Sequence, residues 1–371
     1  MPRANSTTRR DFLSGRSLAV AAQAAAEAAD GIAVPDPIGP DARSDMRLTA
    51  SRRAMACLFQ IMVPCPNAVV TAAASAALDE IEQLDDQLTV YRETSEVSRI
   101  NLLAGDAPVP VEERLFELLE MALRLNEQTN GAFDIAVGPL VKCWGFFRGP
   151  KRVPDAAELA DVMERVGSRH VALNRERRTV AFRRPGVELN LGAIGKGYAL
   201  DRAAERLRDG WEVSRAILHG GRSSVLAIGA ADDQGADAAG WLVGILHPLD
   251  PTRRVAAVRL RDAALGTSGA MIQYFEAGGR RFGHILDPRT GWPADGLVPV
   301  SVIAPTAAEA DALSTAMFIL GPEATRDLCR QHPEIGAVLV RPSGEGQEIE
   351  VEVVGRADGI VQLEEPNALD P

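Results

Sequence analysis

The chain has 371 residues, 46% of them hydrophobic and 25% charged, a composition typical of a soluble globular protein with one large domain or two lobes. Its formal net charge of −11 argues against a general nucleic-acid binder, which would need a basic face. The four cysteines form no CxxC pair, so we expect isolated thiols, and no apolar run is long enough to span a membrane.

The N-terminal residues 1–29 resemble a twin-arginine export signal. An Arg-Arg pair at 9–10 precedes an Ala-rich segment at 18–29, although two polar residues interrupt that segment. We expect export to the periplasm or another extracytoplasmic compartment. The alternative is a disordered leader on a cytoplasmic protein. Residues 30–46, rich in Pro, Asp and Gly, predict a linker.

The first folded elements are a strand and an amphipathic helix. Residues 48–63 predict one strand with Met55 near its middle, and residues 71–88 predict a helix with one apolar face. Residues 89–91 look strand-like. Tyr91 at their end could cap the core or stack on a flat ligand.

A second helix, residues 112–129, is followed by a segment rich in small residues. The helix stops at Asn130-Gly131, and Ala132, Phe133 and Asp134 come directly after it. Small residues beside an aromatic ring and a carboxylate allow a ligand to approach the backbone closely. The alternative is a turn that packs Phe133 and Trp144 into the core.

Residues 188–198 predict a strand that runs through a Gly-rich turn into a helix. The N–H groups at such a helix start, together with the charge of Lys196, would suit a phosphate group. The spacing matches neither the P-loop nor the GxGxxG motif. These residues alone therefore do not establish nucleotide binding.

A helix near residues 306–320 carries the strongest candidate for a metal site. Thr306 is its predicted N-cap and Glu309 completes a capping box. Asp311 and Thr315 are four residues apart and project from the same side of this helix. A carboxylate and a hydroxyl suit a hard cation such as Mg²⁺. The alternative is an ordinary solvated helix face.

Six segments, taken in order over about residues 55–321, resemble the ApbE family, the FAD:protein FMN transferases. They are YRETSEVSRIN, GAFDIAVGPLVKCWGF, LNLGAIGKGYALD, the Gly-Gly turn at 220–221, SG with the later HILDPRTG, and ADALSTAMFILG. The resemblance implies an α+β fold over residues 47–356: a two-lobed catalytic domain with mixed sheets and flanking helices, a ligand cleft between the lobes, and a C-terminal tail at 357–371.

The resemblance also implies an activity. The family splits FAD as its substrate and transfers FMN through a phosphoester bond to a threonine of an acceptor flavoprotein, a membrane-associated redox protein, releasing AMP with Mg²⁺ required. His284 would be the catalytic base. The FAD site would include Met55, Tyr91, Ala132, Phe133, Asp134, Asn190, Lys196 and Ile285, and the metal would bind Asp311, Thr315 and the backbone oxygen of Ala193.

Three positions depart from the family pattern. Asn190 replaces a common Asp, Arg222 stands where an acidic or amide residue is usual, and Ala270 stands where an acidic residue is more frequent. These changes predict either altered adenine contacts or weaker catalysis. They keep two alternatives open: a metal-dependent FAD pyrophosphatase that releases free FMN and AMP, and a non-catalytic FAD-binding or delivery protein.

Overall fold

A computed structural model describes residues 32–33, 47–64, 66–231, 240–269, 274–294, 299–343, 349–357 and 359–363. The predicted export signal, most of the predicted linker, Cys65 and Ala270 lie outside these residues. The other three cysteines, Cys57, Cys143 and Cys329, are buried and form no disulfide with one another. No helix of the described segments is long and apolar enough to cross a membrane.

Helices and strands alternate irregularly along the chain. The strands are β1 Ile32–Ala33, β2 Arg47–Ala54, β3 Cys57–Pro64, β4 Val109–Pro110, β5 Val171–Asn174, β6 Thr179–Phe182, β7 Ala216–Gly220, β8 Ser224–Ile228, β9 Trp241–His247, β10 Asp250–Leu260, β11 Ala263–Ser268, β12 Tyr274–Ala277, β13 Arg280–Gly283, β14 Val300–Ala304, β15 Gly336–Pro342, β16 Ile349–Gly355 and β17 Val361–Leu363. The helices are α1 Ala68–Leu88, α2 Glu96–Leu103, α3 Glu113–Gln128, α4 Gly138–Cys143, α5 Ala156–Met163, α6 Gly195–Trp211, α7 Ala307–Leu320 and α8 Pro322–Gln331, with one 3-10 turn at Ser168–His170.

An eight-stranded antiparallel sheet, in the order β16-β15-β14-β11-β8-β7-β3-β2, is the centre of the fold. Successive residues of a strand point to opposite sides of the sheet. In the central strands β7, β8 and β14 every residue is buried, so both faces of the sheet are covered there. In β7, Ala216 and Leu218 enter the core beneath the helices, whereas Ile217 enters a second core. That second core is shared with the sheet β1-β9-β10-β17. The predicted α+β class is therefore confirmed.

Three helices cover the other face of the central sheet. α1 packs against α6, α6 against α7, and α7 against β11 and β14. The start of α7 follows the predicted pattern, since the Thr306 hydroxyl accepts a hydrogen bond from the N–H of Glu309 and donates one to the Glu309 carboxylate. The helix predicted at 71–88 is confirmed as α1.

Three predicted strands are wrong. Residues 48–63 form the hairpin β2–β3, and its two-residue turn consists of Met55 (φ 46°) and Ala56 (φ 59°). Left-handed backbone at two non-glycine residues is rare, so no turn signal was visible in the sequence. Residues 89–91 form a bend after α1, and residues 187–191 belong to no strand.

Glycine allows α6 and α7 to touch through their backbones. A Cβ on Gly197 would overlap the carbonyl oxygen of Ala307 and would lie 2.7 Å from the N of Ala308. We expect Gly197→Ala to lower the free energy of unfolding by about 3 kcal/mol, because neither backbone can yield as a side chain could. Urea denaturation followed by circular dichroism measures this change.

The matched control is Gly210→Ala in the same helix. A Cβ there would meet only the side chain of Arg206, at 3.7 Å. Because alanine favours the helix over glycine, this variant should be neutral or up to about 1 kcal/mol more stable. Equal effects of the two substitutions would contradict the importance of the α6–α7 contact.

Candidate functional site

One cavity of about 350 Å³ brings together every residue that the resemblance assigned to the site. It lies between the α6–α7 side of the central sheet and the segments that follow α1, α3 and β13. Its lining includes the twelve assigned residues Met55, Tyr91, Ala132, Phe133, Asp134, Asn190, Ala193, Lys196, His284, Ile285, Asp311 and Thr315. Residues separated by up to 260 positions in the chain thus share one surface.

The carboxylate of Asp311 is buried and oriented by two hydrogen bonds. Its Oδ2 accepts the backbone N–H of Gly197 at 2.8 Å, and its Oδ1 accepts the hydroxyl of Ser224 at 2.7 Å. These bonds tie α7 to the first turn of α6 and to the start of β8. They fix the orientation of the carboxylate at the cavity wall.

Hydroxyl groups surround the second assigned metal ligand. The Thr315 hydroxyl lies 3.2 Å from the carbonyl oxygen of Asp311 and 3.1 Å from the hydroxyl of Ser268. The same Ser268 hydroxyl lies 2.8 Å from that of Ser314. The cavity wall here is made of neutral oxygens beside one carboxylate.

This donor set fits a magnesium ion. Among the described residues, no three His, Cys, Asp or Glu side chains gather in a way that could hold a metal by themselves. A site of one carboxylate, hydroxyls and a backbone oxygen is sparse, and Mg²⁺ accepts such sites because it keeps water or phosphate oxygens in its remaining positions. None of these three assigned ligands is a thiolate, the ligand that soft metals prefer.

The N-terminus of α6 presents positive charge to the cavity. Lys196 lies in its first turn, and the N-cap residue Ile194 provides no side-chain cap. Just before this helix, the amide oxygen of Asn190 accepts the N–H of Gly192 at 2.9 Å. An asparagine makes this bond as well as an aspartate would, and it removes one negative charge from the place where an anion would bind.

Asp134 is held by four hydrogen bonds to the protein. Its Oδ1 accepts the N–H of Ala136 and the hydroxyl of Ser168, both at 2.7 Å, and its Oδ2 accepts the N–H of Ser168 and the amide of Asn126. Burial raises the pKa of this carboxyl, while the four donors lower it. The side chain therefore anchors the segment after α3 to residue 168.

The two interpretations of the segment after α3 are compatible. Phe133 is 1% exposed and Trp144 is fully buried, so the packing alternative is confirmed for both rings. Phe133 also lines the cavity. Tyr91, by contrast, is 47% exposed, and its ring stacks on that of Phe147 with ring centroids 4.7 Å apart. Of this aromatic pair, Tyr91 lines the cavity.

A hydrogen-bonded loop positions His284. This half-buried residue follows β13, and the loop after it closes through bonds from the N–H of Ala294 to the oxygen of Ile285 and from the N–H of Asp287 to the oxygen of Trp292. The carboxylate of Asp287 also holds Arg289 through two side-chain bonds at 2.8–2.9 Å. His284 therefore lines the cavity at the start of a loop that backbone hydrogen bonds close.

Asp201 holds the start of α7 in place. Its two carboxylate oxygens accept the N–H groups of Ala307 and Ala308, both at 2.8 Å, and so cap the helix that carries Asp311. Burial raises the pKa of Asp201 to about 7, and its hydrogen bonds from α7 only partly offset this effect.

This buried carboxyl predicts a pH dependence of stability. Because the folded state binds a proton that the unfolded chain releases above about pH 4, the contribution of Asp201 to stability is greatest in acid and is lost as the pH rises to about 7. We expect Asp201→Asn to remove up to about 4 kcal/mol of this pH-dependent change. Urea titrations across the pH range measure it. Parallel curves of unfolding free energy against pH for the variant and wild type would contradict this prediction. The control is Asp155→Asn, which alters an exposed helix cap.

Sequence reasoning missed the residues that orient the assigned ones. Ser224 and Gly197 hold Asp311 from 87 and 114 positions away, and Ser268 and Ser314 share the hydroxyl network. The sequence contains no local pattern for such pairings.

The comparisons with known proteins agree with this geometry. The model of the ApbE family matches residues 55–339, which is most of the chain and includes every assigned residue. The chain belongs to the ApbE family. Two relatives are each named FAD:protein FMN transferase. That of Treponema pallidum is 35% identical over 295 residues, covering 77% of this chain and 82% of the relative, and that of Escherichia coli K12 is 32% identical, covering 75% and 80%.

Solved structures of ApbE proteins share the fold. The ApbE protein of Thermotoga maritima superposes with a TM-score of 0.73 at 31% identity, covering 82% of this chain and 96% of that one. The flavinyl transferase ApbE of Pseudomonas stutzeri gives the same TM-score at 27% identity, covering 86% and 98%.

The departures from the family pattern differ in their distance from the cavity. Asn190 lines it, but Arg222 does not, although its neighbour Ser223 does. Ala270 lies outside the described residues. Of the two described changes, therefore, only the one at 190 alters the cavity wall of this ApbE-family chain directly.

Proposed function

We propose that this chain is a flavinyltransferase that moves FMN from FAD to a threonine hydroxyl of an acceptor protein and releases AMP. One observation carries the proposal: the residues that the family resemblance assigns to FAD, metal and base come together in one cavity. The relatives named FAD:protein FMN transferase support the same activity.

The cavity suits an elongated dinucleotide with charge at its middle. The stacked rings of Tyr91 and Phe147 offer a flat apolar surface at one side. The first turn of α6 with Lys196 offers positive charge to a pyrophosphate, which an acidic protein must concentrate locally. Ala132 brings the backbone close to the ligand because it has almost no side chain.

Asp311, Thr315 and the carbonyl oxygen of Ala193 would hold a magnesium ion, as their oxygen chemistry requires. When bound, this ion supplies positive charge to the pyrophosphate oxygens and so favours departure of AMP. The hydrogen bonds from Gly197 and Ser224 keep the Asp311 carboxylate oriented before the ion arrives. Such a carboxylate needs little rearrangement on binding.

His284 would act as the base. It would accept the proton of the acceptor threonine while the threonine oxygen bonds to the FMN phosphorus and the bond from that phosphorus to the AMP oxygen breaks. The products are the threonine phosphoester of FMN and AMP. The reaction requires mainly aligned reactants and neutralised charge. The hydrogen-bonded loop that positions His284 is therefore as important for catalysis as the basicity of the imidazole.

One experiment separates this function from its two alternatives. The full chain is incubated with FAD, Mg²⁺ and an acceptor domain that carries a target threonine, and the products are analysed by mass spectrometry. We expect an FMN adduct on the acceptor and one AMP for each adduct. The same acceptor with threonine replaced by valine should remain unmodified.

The alternative products identify the alternative functions. Free FMN and AMP without any adduct, formed equally when the acceptor is omitted, would indicate a pyrophosphatase in which water replaces the threonine. FAD that stays intact with Mg²⁺ present would indicate a binding or delivery protein. Either result would overturn the proposed transfer.

A further inference from the structure

A strip of aromatic side chains runs along one side of the cavity mouth. Phe146 lines the cavity and packs edge-on against Phe275 of the β12–β13 hairpin, with centroids 5.9 Å apart. Phe275 in turn stacks on Phe282 at 5.4 Å. All three large aromatic residues that are exposed in the described part of the chain belong to this neighbourhood, namely Tyr91, Tyr274 and Trp292 at 39–47% exposure. Exposed aromatic rings are the typical anchors of a protein interface.

Cations lie over these rings. Lys151 is 5.6 Å from the ring centre of Phe146, Arg280 is 5.3 Å from that of Phe282, and Arg148 lies over both Tyr91 and Phe147. We name the set Phe146, Arg148, Lys151, Tyr274, Phe275, Arg280, Phe282 and Trp292 the basic rim; Tyr91 and Phe147 belong to the FAD side of the cavity mouth.

The charge of the basic rim contrasts with that of the whole protein. Residues 141–152 contain four cations and no acidic residue, although the chain as a whole carries −11. Lys142 and Arg152 are paired with Glu188 and Glu158. Arg148 donates a hydrogen bond to the backbone oxygen of Tyr91, but neither Arg148 nor Lys151 forms an ion pair with a carboxylate among the described residues, so their positive charges are not neutralised there.

We propose that the basic rim docks an acidic, extended segment of the acceptor protein and so delivers the adjacent threonine to His284. The identity of this partner rests on the proposed transferase function. The position of the rim supports the assignment, because His284 directly follows β13 and Phe146 belongs to both the rim and the cavity wall. Opposite charge would speed the encounter and set the orientation, and the exposed rings would supply apolar contact.

The test measures binding separately from transfer. Fluorescence anisotropy compares the FAD-loaded full chain with two labelled peptides: a threonine peptide rich in aspartate, and the same peptide with every aspartate replaced by asparagine. We expect the acidic peptide to bind about tenfold more tightly at low ionic strength, and added salt to remove the difference. The double variant Lys151→Glu, Arg280→Glu should lose this preference while it retains the affinity for FAD.

The matched control is Arg177→Glu, an exposed arginine in the β5–β6 turn. Equal binding of the two peptides by wild type, or equal loss of binding in the control, would overturn the docking surface. A loss of FAD affinity in the double variant would instead make the rim part of the dinucleotide site, which also overturns the proposal. If the acidic peptide binds selectively but no FMN adduct forms, the docking surface stands and the transferase function fails.

Discussion

Replacing Asp311 with asparagine should reduce FMN transfer by at least about 100-fold and should remove its response to Mg²⁺. The change keeps the shape of the side chain but removes the only carboxylate among the described residues at the proposed metal position. Loss of several kcal/mol of charge stabilisation at the pyrophosphate corresponds to a rate loss of this size. Initial rates of AMP release across a Mg²⁺ titration measure it.

The control for this variant is Glu309→Gln on the same helix. Glu309 accepts the Thr306 hydroxyl at the start of α7, and glutamine retains an acceptor there. It should therefore behave as wild type. Thermal unfolding must show that Asp311→Asn remains folded. A folded variant that transfers FMN at normal rates and ordinary Mg²⁺ concentrations would refute the assignment of Asp311 to the metal.

A second series tests how the carboxylate is held. Ser224→Ala removes the donor to Oδ1 of Asp311 and leaves the bond from Gly197 to Oδ2. Supporting groups of this kind typically change metal affinity by about 10–100-fold. We expect a higher Mg²⁺ requirement with a recoverable maximal rate, which distinguishes an orienting residue from a ligand.

Local sequence rules predicted the parts of the fold whose causes are local. The capping box of Thr306 and Glu309 and the apolar face of α1 each depend on residues within a few positions of one another. The turn at Met55 and Ala56 was not predicted, because its cause is not local. Their left-handed turn is stabilised by the pairing of β2 with β3, and neither residue type signals such a turn.

The family resemblance located the cavity residues but not the way in which they work together. It assigned Asp134 to the FAD site, yet the four hydrogen bonds that occupy this carboxylate come from residues up to 34 positions away. It gave no role to Asp201, which caps α7 from 106 positions earlier. Contacts at such separations depend on tertiary packing, which for Asp201 is the packing of α6 against α7, and periodicity cannot reveal it.

Replacing His284 with glutamine should slow FMN transfer by about 10²–10⁴-fold, the range typical of a lost general base. FAD should still bind, because Lys196, the α6 N-terminus and the stacked Tyr91 remain in place. The ascending limb of the pH–rate profile should disappear, since no imidazole is left to lose its proton. Rates at saturating acceptor and FAD affinities from equilibrium dialysis provide both readouts.

The same substitution elsewhere isolates the effect of position. His332→Gln alters a partly exposed histidine at the end of α8, outside the cavity, and should leave the rate and the pH profile unchanged. If His284→Gln abolishes FAD binding, the residue is a binding element and another group must accept the threonine proton. If it slows transfer at every pH by the same factor, His284 orients the acceptor instead, because only a base in the reaction ties the rate to its own protonation.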